Sequence, residues 1–226
     1  MKLIPLIVLL ASVSAALATD SYDYKKGEFV VVKHGLSPDK QYSISAGDSN
    51  FHINLMDAVA KKKIGPLTEI GEDGVLDSAA EAIEASWSPD SKHVAISFRQ
   101  DRHLLVTFLY RIENKHAYLV NVPSLFDTVA PKFDREAYKM DDTSRGMVSV
   151  KWKGASKFEL SETSQYYHVA KNPQSKLGKF AKVTKEDSGD GKETAVYFSA
   201  VATCELTDHD GVKILQMSPA KFYDER

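Results

Sequence analysis

Apolar residues recur at every second position in short runs from Glu28 onward, and turn-forming residues separate the runs. Phe29-Val30-Val31-Val32 is a compact β-branched run, Tyr42-Ser43-Ile44-Ser45 alternates, and Phe51-His52-Ile53-Asn54-Leu55 alternates again. A period of two puts one set of side chains on a buried face and the other in solvent, the pattern of a half-buried strand. Gly47-Asp48-Ser49-Asn50 supplies one reversal, and Asp57 to Lys63 a second, polar one before Ile64. The order then returns: Ile83 to Trp87, Val94 to Phe98, a longer apolar strand from Leu104 to Ile112, and Ala117 to Val122. Gln100-Asp101-Arg102 and Glu113-Asn114-Lys115 turn the chain between them. The pattern predicts an all-β protein.

Two of the turns share their chemistry. Leu36-Ser37-Pro38-Asp39-Lys40-Gln41-Tyr42 and Trp87-Ser88-Pro89-Asp90-Ser91-Lys92-His93 each lead into an alternating strand, with a step of 51 residues from Ser37 to Ser88. Proline presets φ at the second turn position, and Ser and Asp hydrogen-bond nearby backbone, so each tripeptide favours a tight reversal. A turn repeated between strands marks a repeated supersecondary unit. A weaker third unit starts at Met147 to Trp152, where Lys153-Gly154-Ala155-Ser156-Lys157 replaces Ser-Pro-Asp before Phe158-Glu159-Leu160-Ser161.

The step from Trp87 to Trp152 is 65 residues, and its excess lies in Pro123 to Arg145. Ser124 and Asp127 suit a helix start and Pro131 an interruption, which predicts one or two short helical turns there. Asp77 to Ala85, rich in Ala and Glu, is a second short helical candidate. Thr194 to Leu206 and Val212 to Met217 read as a hairpin across Thr207-Asp208-His209-Asp210-Gly211, and Lys185 to Lys192 as a Gly/Asp-rich loop. The predicted units lie near residues 28–67, 83–122, 146–183 and 193–218, within a single domain over 19–226.

Residues 83–98, centred on Trp87-Ser88-Pro89-Asp90-Ser91-Lys92-His93-Val94-Ala95-Ile96, resemble the WD40-like repeat of TolB-type β-propellers. That repeat runs from a small or aromatic residue through Ser-Pro-Asp, Gly, a basic residue and an aromatic into an apolar strand. Residues 36–45 match more loosely, and Lys40 and Ser91 stand where Gly is usual. Phe51 to Lys63 look like the second half of a blade. The resemblance covers under a quarter of the chain that would follow a leader. It implies a small or incomplete β-propeller-like array of antiparallel meanders with short helical insertions. It also implies protein–protein contact and scaffold roles in the cell envelope, and it carries over no catalytic residue. A closed propeller has typically 4–8 blades, so a compact small ring and an open stack with exposed edges both remain compatible with these units.

The first residues change where the chain is expected to work. Lys2 is the only charge among the first nineteen, Leu3 to Leu10 is apolar apart from Pro5, and Ala16-Leu17-Ala18 closes the stretch. A positive start, a short greasy centre and an A-x-A end make a secretory signal, expected to be cut after Ala18. The apolar run is shorter than the roughly 20 residues of a spanning helix. No later run is long enough for another, so no membrane span is expected after cleavage. A periplasmic or secreted location follows, with bacterial export preferred because no Asn-x-Ser/Thr sequon is present.

Loss of Lys2 takes 29 basic residues to 28 against 31 acidic ones, a net charge of −3. That balance gives nucleic acid no basic surface to hold, and Lys61-Lys62-Lys63 reads as a solvated turn. Cys204 is the single cysteine. It has no partner for an intrachain disulfide and falls on the apolar face of its strand with Ala202 and Leu206, so a buried inert thiol is expected.

Legible chemistry is sparse. The seven histidines make neither His-x-His nor His-x-x-x-His, so no metal site is read. Asp208-His209-Asp210-Gly211 hints at a calcium loop, but with Gly211 as the sixth loop position Met217 falls on the twelfth, where a bidentate Glu is needed. A hairpin turn is expected instead. No Gly-x-Ser-x-Gly elbow or phosphate-cradling loop occurs, no cofactor is implied, and Asp141-Asp142 reads as a solvated pair. The binding candidates are Arg102 and His103 in one turn and Tyr166 and His168 in one strand, because Arg and aromatic side chains are enriched at interface hot spots. The expected function is an exported, non-enzymatic binding or scaffold module whose partner is another protein. The alternative is a secreted hydrolase with a dispersed carboxylate or histidine site.

Overall fold

The computed structural model describes residues 22–47, 52–70, 75–129, 145–168, 182–185, 192–208 and 210–223. The predicted leader, the turn at 48–51, Pro131, Asp141-Asp142, His209 and most of the 185–192 loop lie outside them. The first unit comprises β1 (Phe29–Leu36), β2 (Tyr42–Gly47), β3 (His52–Asp57) and β4 (Lys62–Pro66). The second comprises β5 (Glu84–Trp87), β6 (His93–Asp101), β7 (Leu104–Glu113) and β8 (His116–Val120). Each is an antiparallel meander in chain order.

The third unit is built from β9 (Arg145–Trp152), β10 (Lys157–His168), β12 (Lys192–Leu206) and β13 (Val212–Met217). The short β11 (Lys182–Lys185) and β14 (Lys221–Tyr223) add to β12. Thus the segments expected near 146–183 and 193–218 pair into one meander, because β10 and β12 are long enough to share twelve residue pairs from Lys157↔Glu205 to His168↔Thr194. One α-helix, α1 (Leu125–Val129), and a 3-10 turn at Ala80–Ala82 fall within the two stretches expected to be helical.

The units stand side by side in an open array. They join through short parallel contacts, Lys33↔Glu84 between β1 and β5 and Leu104↔Gly146 with Leu105↔Met147 between β7 and β9. Two cores fill the two seams. Val32, Ile44, Ile53 and Leu55 of the first unit meet Val94, Ile96, Phe98 and Tyr110 of the second. Ala95, Leu109 and Val120 of the second meet Phe158, Leu160, Phe198 and Cys204 of the third, with Leu125 and Phe126 of α1. Val94, Ala95 and Ile96 are consecutive yet feed opposite seams, so both faces of the middle unit are buried. A strand buried on both faces reads as a continuous apolar run instead of an alternation, which explains why Leu104 to Ile112 departs from period two.

The two Ser-Pro-Asp turns share three side-chain hydrogen bonds at equivalent positions. Ser37 Oγ donates to Asp39 Oδ1 at 2.7 Å, and Ser88 Oγ to Asp90 Oδ1 at 2.6 Å. Tyr42 N donates to Ser37 Oγ and His93 N to Ser88 Oγ, both at 3.0 Å. Gln41 N reaches Asp39 Oδ1 at 3.1 Å, and Lys92 N reaches Asp90 Oδ1 at 3.2 Å. Both serines are buried, which a hydroxyl tolerates only when bonded. Lys40 and Ser91 adopt φ of 59° and 61°, the left-handed region that suits glycine. The turns also touch, since Asp39 N donates to Ser91 Oγ at 3.0 Å.

In the second and third units the residue just before the turn makes the joint to the preceding unit. Trp87 Nε1 donates to the Gly35 carbonyl of the first unit at 3.0 Å, and Trp152 Nε1 to the Ser86 carbonyl of the second at 2.9 Å. Gly35 and Ser86 are each two residues ahead of their unit's turn serine, so one indole-to-carbonyl bond is used twice at equivalent places. The third turn is one residue shorter: Trp152 pairs with Phe158, six positions on, where Leu36↔Ser43 and Trp87↔Val94 span seven. Lys153 N closes it on Lys157 O at 2.8 Å. An equivalent place in the inter-unit joint therefore survives without Ser-Pro-Asp.

Two stability predictions follow from these joints. Trp87→Phe and Trp152→Phe keep an aromatic ring but orphan a carbonyl, and each should lose about 1–2 kcal/mol in urea denaturation. Lys40→Gly should gain about 0.5–1 kcal/mol by relieving the left-handed backbone. Ser91→Gly should gain less, because it also deletes the acceptor for Asp39 N.

Candidate functional site

Two concave surfaces bear on binding. The first is a cleft of about 260 Å³ between the second and third units, lined by β7 from Leu104 to Thr107, by Val122 to Ser124, by Gly146 to Val148, and by Glu162 and Ser164. Glu162 is the only carboxylate among its described lining residues and is buried, 5% exposed. The carboxylate accepts Leu125 N at 2.5 Å, Phe126 N at 3.4 Å, and the hydroxyls of Ser124 and Ser164 at 3.3 Å each. These are the orphan amides of a helix start, and an anion is their natural partner. Ser124 caps the same helix by accepting Asp127 N at 3.1 Å, as its sequence position predicts. Glu162 therefore pins α1 to the third unit. Among the described residues no second carboxylate lines the cleft to complete an acid–base pair.

The sequence candidates approach this cleft from one end. Arg102 and His103 are exposed in the turn between β6 and β7. His103 O accepts Gly146 N at 3.0 Å, and Gly146 pairs with Ser164. Tyr166 and His168 continue β10 two and four residues beyond Ser164, paired with Val196 and Thr194. The backbone thus brings all four positions to the same end of the array, on strands separated by β9. The side chains of Tyr166 and His168 are outside the described set.

The second surface is a groove of about 430 Å³ on the outer face of the first unit, the face turned away from the second. Phe29, Val31, Leu36 and Met56 wall it, Ser43 and Ser45 floor it, and Lys61 stands at its rim. Val31 and Leu36 are 50% and 47% exposed. Sequence reading passed over this site because its apolar residues belong to strands that the alternation assigns to a core. The signal was present as Ser43 and Ser45 alternating with Ile44, two small polar residues where the second unit has Val94 and Ile96.

The seam between the second and third units holds the other charged cluster. Arg111 of β7 pairs through its Nη2 with Asp210 Oδ2 at 2.9 Å, through Nε with Asp210 Oδ1, and through Nη1 with Glu113; its guanidinium stacks 4.5 Å from the Tyr118 ring. Asn121 N also donates to Asp210 O at 3.0 Å. β12 and β13 pair as the hairpin expected there, Thr207 N donates to Gly211 O at 3.0 Å, and Asp210 clasps the second unit. Among the described residues no three His, Cys, Asp or Glu side chains gather as metal ligands. Cys204 is fully buried and burial pushes its thiol up to about 11, the inert state predicted from its strand position. No described helix is long and apolar enough to cross a membrane.

Comparison of the chain with family models, curated proteins and solved structures returns no match.

His93 lies in the same seam, with its ring 6.1 Å from Trp152 and its Nδ1 buried without a partner. Burial lowers its pKa below the usual 6.5; Asp90 and Asp210 oppose that shift, while Arg111 and Lys92 reinforce it. The unfolded chain then binds this proton more readily than the folded one. Stability should be full above about pH 6.5 and fall as the pH drops from there through the lowered folded value. Urea midpoints between pH 5 and 7.5 should show the decline, and His93→Gln should flatten it.

Proposed function

We propose that this chain is an exported, non-enzymatic binding or scaffold module of the bacterial cell envelope, built on repeats of the TolB-like type and working through another protein. The observation that carries the reading is the chemistry of the described clefts. They present apolar walls, serine hydroxyls and a carboxylate already saturated by helix amides. None offers the nucleophile with base, or the paired carboxylates, that hydrolysis requires.

The positive start, apolar centre and Ala16-Leu17-Ala18 end of the leader support export. The doubled Ser-Pro-Asp turn, with its shared bonding, supports a repeat whose relatives work by contact. A partner reaching the exposed Tyr118 and Leu119 of β8, the mouth of the inter-unit cleft at Met147, or the groove at Val31 would meet apolar surface 40–50% exposed, the kind of surface that forms interface cores.

Expression in a bacterial host tests both parts. The full chain should appear in the periplasmic fraction with Thr19 as its N-terminus, and deletion of residues 2–18 should leave it in the cytoplasm. Photo-crosslinkers at positions 31, 118 and 147 should trap a discrete envelope protein from at least one position. Retention of the full chain in the cytoplasm overturns export, and the absence of any crosslink from all three positions overturns the binding reading.

A further inference from the structure

The groove on the first unit occupies a seat whose ordinary occupant is visible twice in the same chain. In the second unit the residues facing backward, toward the preceding unit, are Val94 and Ile96; in the third they are Phe158 and Leu160. Register against the inner strand gives the equivalents in the first unit: Ser43 opposite Leu36 matches Val94 opposite Trp87 and Phe158 opposite Trp152. Among the described residues no unit packs ahead of β1, and the seat holds Ser43 and Ser45 instead of large apolar residues. Small side chains on the floor turn a flat packing face into a depression, while Phe29, Val31, Leu36 and Met56 keep its walls apolar. A volume of about 430 Å³ is within the range of sites that hold a specific ligand.

Charge selects among occupants. Asp57 is the only carboxylate among the described lining residues, and it is held by Ala60 N at 2.8 Å and Lys115 Nζ at 2.9 Å, which lower its pKa. Lys61 is exposed at the rim, followed by Lys62 and by Lys63, whose ammonium lies 5.7 Å over the Phe29 ring. The rim is therefore cationic. A second copy docking through the same groove would offer Lys61 only Asp57 among the described lining carboxylates, and Asp57 is already paired with Lys115. The far end of the array is also a poor fit, because the forward-facing positions of the third unit are Glu159 and Ser161 where the first has Ile44 and Ala46.

We propose that this groove binds an extended segment of another polypeptide in which apolar side chains at alternate positions are flanked by carboxylates. This inference rests on the binding reading above and names the partner's chemistry. Side chains on one face of an extended segment recur about every 6.8 Å, so successive apolar residues enter between the Phe29 and Leu36 walls. The flanking carboxylates meet Lys61 and its neighbours. Rim charges of this kind set partner choice more than raw affinity.

The test uses the chain from Thr19 with two synthetic peptides, each alternating Leu and Thr, one carrying three Glu at one end and the other three Lys. Methyl NMR titration should show saturable binding of the Glu peptide, with shifts centred on Val31, Leu36 and Met56. The Lys peptide should bind about tenfold more weakly or worse. Lys61→Glu should reverse that preference, and Ser45→Leu should abolish binding by filling the floor, with native dispersion elsewhere showing that each variant is folded. No saturable binding, shifts centred elsewhere, equal affinity for both peptides, or binding of anionic lipid vesicles in place of the Glu peptide each overturns the proposal. A crosslinked partner at position 118 or 147, together with a silent groove, sinks this inference and leaves the broader binding reading standing.

Discussion

Everything in this array hangs on the indole-to-carbonyl bond that each later unit makes to the one before it. A tryptophan next to a turn is an ordinary sight; the same bond to a carbonyl two residues before the preceding turn's serine position, formed twice, is a rule of assembly. The bond fixes how far one sheet slides along its neighbour, because an indole N–H at the edge of an apolar seam has one carbonyl within reach and leaves a buried polar group unpaired if it misses. Hydrophobic burial holds the seams together but does not set register, since apolar contact is non-directional. The buried Ser88 hydroxyl closes the turn behind Trp87 by accepting His93 N, and Lys153 N closes the one behind Trp152 on Lys157 O.

The constraint explains why the units differ in composition while sharing a plan. The middle unit must be apolar on both faces because each face closes a seam. Each end unit has only one seam to serve, and its other face is released to polar residues: Ser43 and Ser45 at one end, Glu159 and Ser161 at the other. Terminal repeats with polar outer faces stop further stacking. The ends are nevertheless unequal. At the far end, Lys153 pairs with Glu159 and Lys157 with Glu205 on a flat, ion-paired face. At the near end small serines lie among exposed aliphatic walls, so stacking is discouraged while a cavity is kept.

Most of this architecture was legible in the chain, and the reason is the strictness of period two. Ile44, Ile53 and Leu55 are assigned to one face by alternation alone, and the repeated turn predicted that Pro38 and Pro89 would share equivalent surroundings. Two things were hidden. The last two expected units merged because nothing local to β10 or β12 says how far a strand extends; its length is set by the partner it finds. The cleft carboxylate was equally invisible, since Glu162 alternates with Phe158 and Leu160 on the buried face and reads as a misplaced charge until α1 brings its amides to it. The turn at Arg102 and His103 reaches the end of the cleft through its backbone, where His103 O accepts Gly146 N.

The position of the groove also bears on how binding and folding are separated in this molecule. The cores of both seams are on the far side of β2 and β3 from Ser43, Ser45 and Met56, and the backbone between them is fixed by ladders on each side. A ligand in the groove therefore meets a preformed sheet face and does not have to order it. Preorganisation of this kind spares the entropy that a flexible loop would lose on binding. The same geometry lets residues of the outer face vary without touching either seam. That freedom is absent in the middle unit, where a change at Val94 or Ala95 disturbs one core or the other. An end unit is thus where an array of this plan is free to vary, and the exposed Val31 and Leu36 lie on such a face.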